Sequence, residues 1–216
     1  DQELVRLMGK LEQSEAELAA LLQRQQTIRQ QFASASLLPP GAARRKELQS
    51  LRSAEDALRS QAEQLARRLE RLEAQRPASE VGQAAQQMLR ASRAAAAGDA
   101  AEGLAGATAA LRHLEAAQAE LAARRLQIHA EMLQQQLGRL EDTTKHLHAE
   151  QQDLLEQTQK LHASRGSPDQ VTRTEAAALA ALADRQRQLR GHTADVAGQM
   201  AAAPALRFVL EGASES

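Results

Sequence analysis

The sequence has few of the residues that fill compact globular cores, and it has no cysteine. Aromatic residues make up 1% of the 216 positions, as Phe32 and Phe208, so a core cannot draw on aromatic volume. Without cysteine the chain cannot form a disulfide, a thiolate nucleophile or a thiolate metal site. The sequence contains no run of about 18 apolar residues, so no membrane-spanning helix is predicted.

An excess of charge of one sign is also missing. The chain carries 27 basic and 28 acidic residues, a net charge of -1, whereas nucleic-acid binders usually show a basic excess or a basic face. The short basic clusters at 43–47 and 123–127 lie beside acidic residues and are interpreted as solvated surface rather than as sites for an anionic partner. No nucleic-acid partner is therefore predicted.

Alanine, leucine, glutamine, glutamate and arginine dominate, and all are good helix formers. This composition is typical of long helices and coiled coils. It predicts an all-α fold of long antiparallel helical hairpins with coiled-coil packing.

A first hairpin is predicted over residues 1–76. Apolar residues recur at 3-4 spacing over 3–33, "SASLLPPG" at 34–41 stops the helix, and a second heptad follows over 48–72. Paired core positions such as Ile28 with Leu51 have a nearly constant sum of residue numbers, as an antiparallel pair requires. One layer of this seam is polar, because Gln25 falls opposite Glu55.

A second hairpin is predicted over residues 126–203, and it repeats the first. Leu154 pairs with Leu182 in the same manner, and a polar layer recurs with Gln151 opposite Gln186. Gln151 stands 126 positions after Gln25, and Gln186 stands 131 positions after Glu55. The sequence therefore indicates an internal duplication.

The intervening residues 77–125 are rich in alanine and predict a helix-turn-helix with its turn at Gly98-Asp99. Pro77 and Pro204 are expected to break or kink helices. After Asp99 one continuous helix of about 65 residues is predicted at 1.5 Å per residue, with a slip of the apolar phase near Arg124-Arg125. Residues 204–216 are predicted to start a further helix.

Two arrangements of these segments remain open at this point. The arms 1–34, 42–76, 126–164 and 170–203 form one bundle and leave 77–125 as a thin helical extension, or the hairpins follow end to end in a rod. The sequence has no initiator Met or signal-like start and Asp1 lies within a helical pattern, so a fragment or a processed chain is expected. The last residues resemble the start of the element that follows the first hairpin, so the natural protein is expected to continue with more copies.

Residues that could carry chemistry are sparse. "KHLHAE" at 145–150 places His146 and Glu150 on one helix face, but a zinc site needs about three converging ligands. "GLAGATAA" at 103–110 lacks the Lys-Ser/Thr ending of a phosphate loop. No catalytic, cofactor-binding or metal-binding residue is predicted, and the protein is not expected to be an enzyme.

Two features are candidates for an interaction role. The polar layers Gln25–Glu55 and Gln151–Gln186 are predicted to set helix register, since a polar core layer lowers stability but fixes partner choice; in the alternative they lie at a seam edge and reach solvent. Leu37 and Leu38 at the first hairpin tip either dock on a partner protein or cap the end of the core.

Three resemblances accompany these patterns. The segment "AAAAGDAAEGLAGATAALRHLEAA" resembles tetratricopeptide-like repeats without their aromatic and proline positions, and the duplicated helices joined by a long helix resemble spectrin-type rods in architecture. The motifs "EQQDLLEQTQKL" and "LADRQRQL" resemble large uncharacterised bacterial coiled-coil proteins, often envelope anchored. That resemblance implies a bacterial structural or interaction role and carries over no functional residues.

The predicted function is a non-catalytic helical scaffold or protein-interaction segment of a larger bacterial repeat protein, with protein partners that include its own helices. The alternative is an envelope adaptor that docks a partner through the hairpin tip. Such adaptors carry strand-rich halves around the hairpin, and no segment here has the pattern of a strand. The sequence does not choose between the bacterial envelope, the periplasm and the cytoplasm, and it leaves the oligomeric state open.

Overall fold

The structure, a computed structural model, describes residues 2–164 and 172–202. It confirms the all-α fold: the described residues form five α-helices and no strand. These helices are α1 (Gln2–Leu37), α2 (Ala42–Arg71), α3 (Gln75–Ala96), α4 (Ala100–Ser164) and α5 (Arg173–Ala202). Within the described ranges, no helix contains an apolar stretch that could span a bilayer.

Several predicted helix ends and turns are present, although α2 ends at Arg71 and not at the predicted residue 76. Helix α1 ends at Leu37, just before the two prolines, and α4 is the predicted continuous helix of 65 residues. The turn at Gly98 has a positive φ of 81°, which glycine adopts without steric penalty. The Asp99 side chain accepts hydrogen bonds from the backbone N–H groups of Ala101 and Glu102, as an N-cap does.

Pro77 does not break or kink a helix as the sequence led us to expect. The chain turns before it, at Glu73, whose φ is 57°, and Pro77 is the third residue of α3. A proline in the first helical turn is tolerated, because the N–H group that it lacks would have no partner within the helix. Pro204 and the further helix expected over 204–216 lie outside the described residues.

The chain divides into two compact units, Asp1–Ala130 and Glu131–Ser216, and α4 contributes to both. The boundary lies within six residues of the predicted phase slip at Arg124-Arg125. The closely spaced buried positions of α4 end with Ile128, which is fully buried, and the next buried residue of this helix is Leu154.

The first unit is a four-helix bundle of α1, α2, α3 and the first part of α4. Neighbouring helices are antiparallel in chain order, joined by short turns. The ring closes between α1 and α4, where Glu15 pairs with Arg125 at 2.7 Å and Gln25 reaches the Ala107 carbonyl at 3.3 Å. Residue numbers rise along α1 as they fall along α4, so these two helices are also antiparallel.

The expectation that 77–125 forms a thin extension beside a bundle of four leucine-lined arms is wrong. Ser92 in α3 donates a hydrogen bond to Asp56 in α2 at 2.8 Å, and Phe32 in α1 packs on Gly103 in α4. The apolar face of the first hairpin is therefore covered by α3 and α4. The cause of the error is residue size, because alanine and glycine fill core positions here that we expected leucine to fill.

The second unit contains the rest of α4 and α5. Arg185 in α5 bonds to Asp153 at 2.9 Å and to Gln157 at 3.0 Å in α4, so these two helices lie side by side. The Thr172 hydroxyl and the Glu175 carboxylate form a reciprocal capping box at the start of α5. Over the described residues, 131–164 and 172–202 therefore lie against each other as a pair of helices.

Candidate functional site

The polar layer of the first unit joins three helices. The Nε2 group of Gln25 donates to Glu55 Oε1 at 3.0 Å and to the Ala107 carbonyl oxygen at 3.3 Å. Gln25 and Glu55 are both 0% exposed. The predicted pairing of these two residues is present, and the alternative in which they reach solvent at a seam edge is wrong for this layer.

The electrostatics of this layer centre on the Glu55 carboxyl group. The pKa of Glu55 is raised from 4.5 to about 7, mainly because burial disfavours the charged form. The hydrogen bond from Gln25 opposes this rise, and the nearby Asp56 charge adds to it. Glu55 Oε2 and Gln25 Oε1 are buried and accept no hydrogen bond from the described residues. A buried carboxylate with one unpartnered oxygen is unfavourable, so the layer favours the protonated acid.

Replacing both Gln25 and Glu55 by leucine is expected to raise the free energy of unfolding of the first unit by about 1–3 kcal/mol at pH 7.5. The change removes a desolvated carboxyl group and its unpartnered oxygens, and urea unfolding followed by circular dichroism measures it. The matched control is Gln151→Leu with Gln186→Leu, two exposed positions where we expect little change. A large loss of stability in the first variant would contradict this account of the layer.

The second predicted polar layer is not buried. Gln151 and Gln186 are both exposed, so the seam-edge interpretation describes them within the second unit. An exposed amide keeps its hydrogen bonds to water and does not constrain helix register. The register-setting role therefore stays a prediction for Gln25 and Glu55. Burial does not support this role for Gln151 and Gln186, because both are exposed.

The two hairpins nevertheless carry grooves at equivalent positions. A groove on the first hairpin is lined by Arg24, Thr27, Ile28, Ala54, Ala57, Leu58 and Gln61. A groove on the second is lined by Glu150, Leu154, Arg185, Gln188, Leu189 and His192. Each residue of the second groove stands 126 positions (α4) or 131 positions (α5) after a residue of the first. The offsets found by comparing the two sequence segments thus relate the same places in both helix pairs.

Equivalent positions of the two hairpins differ in how deeply they are buried. Eight positions of α1 and eight of α2 are buried in the first unit. Among their sixteen equivalents in α4 and α5, only Leu154 and Leu189 are buried, and the others are half-buried or exposed. Leu137 is 47% exposed where its equivalent Leu11 is 0% exposed, and Leu179 is 41% exposed. We call these sixteen equivalents the uncovered face of the second hairpin.

The tip of the first hairpin exposes apolar side chains. Leu37 is 86% exposed and Leu38 is 37% exposed. The interpretation that both leucines cap the end of the core is therefore wrong for Leu37. Beside them, Pro40, Gly41, Arg44, Arg45, Leu48 and Gly98 line a shallow groove, which places the 38–41 loop and the Gly98 turn at the same end of the bundle.

The histidine-rich segment of α4 has the orientation that the heptad predicts. Leu147 is half-buried while His146 and His148 are exposed. His146 Nε2 lies 3.3 Å from Glu150 Oε1, one turn along the same helix. Within the described ranges, no group of three or more His, Asp or Glu side chains is arranged to hold a metal ion.

Sequence reasoning noted that Gly103 and Gly106 let helix backbones approach closely, but it missed that these glycines lie where α4 packs on Phe32 and Ala91. A Cβ atom on Gly103 would lie 2.3 Å from Phe32 Cε1, and one on Gly106 would lie 2.9 Å from the Ala91 backbone nitrogen. A signal was present: buried residues continue the 3-4 spacing through small side chains. They are Ala78, Val81, Ala85, Met88, Ser92 and Ala95 in α3, and Ala100, Gly103, Ala107, Ala110, Leu114, Ala117, Leu121 and Ile128 in α4.

Comparison of the chain with protein-family models, with curated proteins and with solved structures finds no match.

Proposed function

We propose that this protein is a non-catalytic helical scaffold built from tandem copies of one hairpin, and that its second hairpin binds other helices. A larger bacterial repeat protein is the context that the sequence resemblance implies. The observation that carries the proposal is the difference in burial between the copies. The first hairpin is buried against α3 and α4, whereas fourteen of the sixteen equivalent positions of the second are only half-buried or exposed.

The physical argument rests on the composition of the uncovered face. This face includes leucines such as Leu137, Leu147, Leu179 and Leu182, which correspond to buried core residues of the first unit and keep a heptad spacing. Heptad leucines on two adjacent helices form a surface complementary to further helices. A contiguous apolar surface on a folded protein marks an interaction site, and burial of such side chains contributes about 1.5–3 kcal/mol for each one fully buried.

The proposal predicts opposite results for the same change at equivalent positions. Leu137→Gln with Leu179→Gln should leave the helix content unchanged and lower the binding of the apolar dye ANS, because both side chains are already exposed. Leu11→Gln with Leu48→Gln should unfold the first unit, because both are buried in its core. Circular dichroism and ANS fluorescence measure the two effects. Equal loss of helix in both variants would contradict the proposal, because it would show that Leu137 and Leu179 belong to a core that is needed for folding.

A second candidate function uses the hairpin tip. The 86% exposure of Leu37 favours a tip that docks on a partner protein, as in the adaptor alternative. The tip offers only Leu37 and the half-covered Leu38, whereas the uncovered face extends along two helices. The scaffold is for that reason our first proposal.

A further inference from the structure

The first unit shows how a hairpin of this type is covered. Helix α3 and the first part of α4 lie on it as an antiparallel pair of small-residue helices, joined by the Gly98-Asp99 turn. Their close approach depends on Gly106, whose missing Cβ leaves room for the Ala91 backbone. The second hairpin has the same groove at equivalent positions but no such pair among the described residues.

We propose that the uncovered face of the second hairpin binds an antiparallel pair of alanine- and glycine-rich helices of the same kind as residues 75–130. This inference rests on the proposed scaffold function and names its partner class. The internal duplication carries it, because equivalent hairpin positions are covered in this way in the first unit.

Two polar anchors of the first unit are retained on the second hairpin, Gln151 within the uncovered face and Glu141 outside it. Gln151 takes the place of Gln25, whose amide donates to the Ala107 carbonyl of the covering pair. Glu141 takes the place of Glu15, which pairs with Arg125 of the covering pair at 2.7 Å. The partner therefore presents a helix backbone carbonyl opposite Gln151 and a basic side chain opposite Glu141.

One contact differs between the copies and fixes a further property of the partner. Phe32 fills the space opposite Gly103 in the first unit, and its equivalent in the second hairpin is the smaller Thr158. A glycine opposite Thr158 would leave a cavity, which destabilises a packed interface. The partner therefore carries a larger apolar residue at the position that corresponds to Gly103, and it keeps glycine at the position that corresponds to Gly106.

The test supplies such a pair in the same chain. Ala202 stands 131 positions after Arg71, so a second copy of residues 72–130 is appended directly after Ala202. Three extended proteins are made: one with the copy unchanged, one with Gly103→Leu in the copy and one with Gly106→Leu in the copy. The original residues 72–130 are unchanged in all three. Hydrogen exchange of residues 131–202 is compared with that of the 216-residue chain, and light scattering gives the oligomeric state. The first unit serves as the internal standard, because it is the same in all four proteins.

We expect the unchanged copy to slow exchange over 131–202 at least about tenfold by converting an open hairpin into a closed bundle. The appended Gly103→Leu copy should slow it further, and the appended Gly106→Leu copy should return exchange to that of the 216-residue chain. Unchanged exchange in all three extended proteins would overturn the inference. So would a dimer of the 216-residue chain in which 131–202 is already protected, because a second copy would then occupy the face.

The outcome also separates this inference from the scaffold proposal. If 131–202 forms a helical hairpin that the appended copy does not protect, the partner class is wrong and the scaffold proposal stands. If 131–202 lacks helix in the 216-residue chain, the scaffold proposal itself fails.

Discussion

Lowering the pH from 8 to 4.5 is expected to stabilise the first unit by about 3 kcal/mol through Glu55 alone, at 1.36 kcal/mol for each pKa unit. Burial raises the pKa of this carboxyl from 4.5 to about 7 in the folded protein. The folded state therefore binds the proton more tightly than the unfolded state does. The contribution is fully present below about pH 4.5, declines as the pH rises, and is lost above about pH 7.

The measurement compares urea unfolding of the parent protein and of Glu55→Gln at pH 4.5 and pH 8. Glutamine keeps the shape of the side chain and stands naturally at the equivalent position 186. We expect the variant to be more stable than the parent by about 3 kcal/mol at pH 8 and about equal to it at pH 4.5. All other titrating groups are common to both proteins, so the difference isolates Glu55.

Glu70→Gln is the control, because Glu70 lies exposed on the same helix. It should show the pH dependence of the parent. If Glu55→Gln were less stable than the parent at pH 8, the ionised carboxylate would be favoured in the core, and the account of the polar layer given above would be wrong.

The second large effect is expected at the closest helix contact. Gly106→Leu should lower the free energy of unfolding of the first unit by at least about 3 kcal/mol, since even a Cβ atom there lies 2.9 Å from the Ala91 backbone nitrogen. A backbone atom cannot rotate away as a side chain can, so α3 and α4 must separate. Thermal unfolding followed by circular dichroism measures the loss.

The substitution Gly106→Ala and the control Gly82→Ala form a matched pair in the same bundle. Nothing lies within 4 Å of a Cβ atom on Gly82, a residue in the interior of α3. Gly82→Ala should therefore stabilise the bundle by about 0.5–1 kcal/mol through helix propensity, whereas Gly106→Ala should destabilise it. A gain of stability at both positions would show that α3 and α4 are not in close contact.

The spacing of leucine residues along the sequence correctly predicted the helices whose buried faces consist mainly of leucine. The break before Pro39, the turn at Gly98, the 65-residue helix and the facing of Gln25 and Glu55 are all present in the structure. These features depend on local helix propensity and on apolar residues at 3-4 spacing, and both can be read directly from the sequence. The offsets of 126 and 131 positions came from the same pattern, and the residues that line the two grooves are related by these offsets.

Partner choice was decided only in three dimensions. The sequence has two leucine-lined hairpins of similar pattern. Their heptads do not predict that α3 and α4 cover the first hairpin. The choice depends on the Phe32 ring that packs on Gly103, on the close approach of the Ala91 backbone to Gly106 and on the hydrogen bond from Gln25 to Ala107. These are contacts between residues that lie far apart in the chain. Small side chains carry little hydrophobic signal in the sequence, yet they determine how closely two helices can pack.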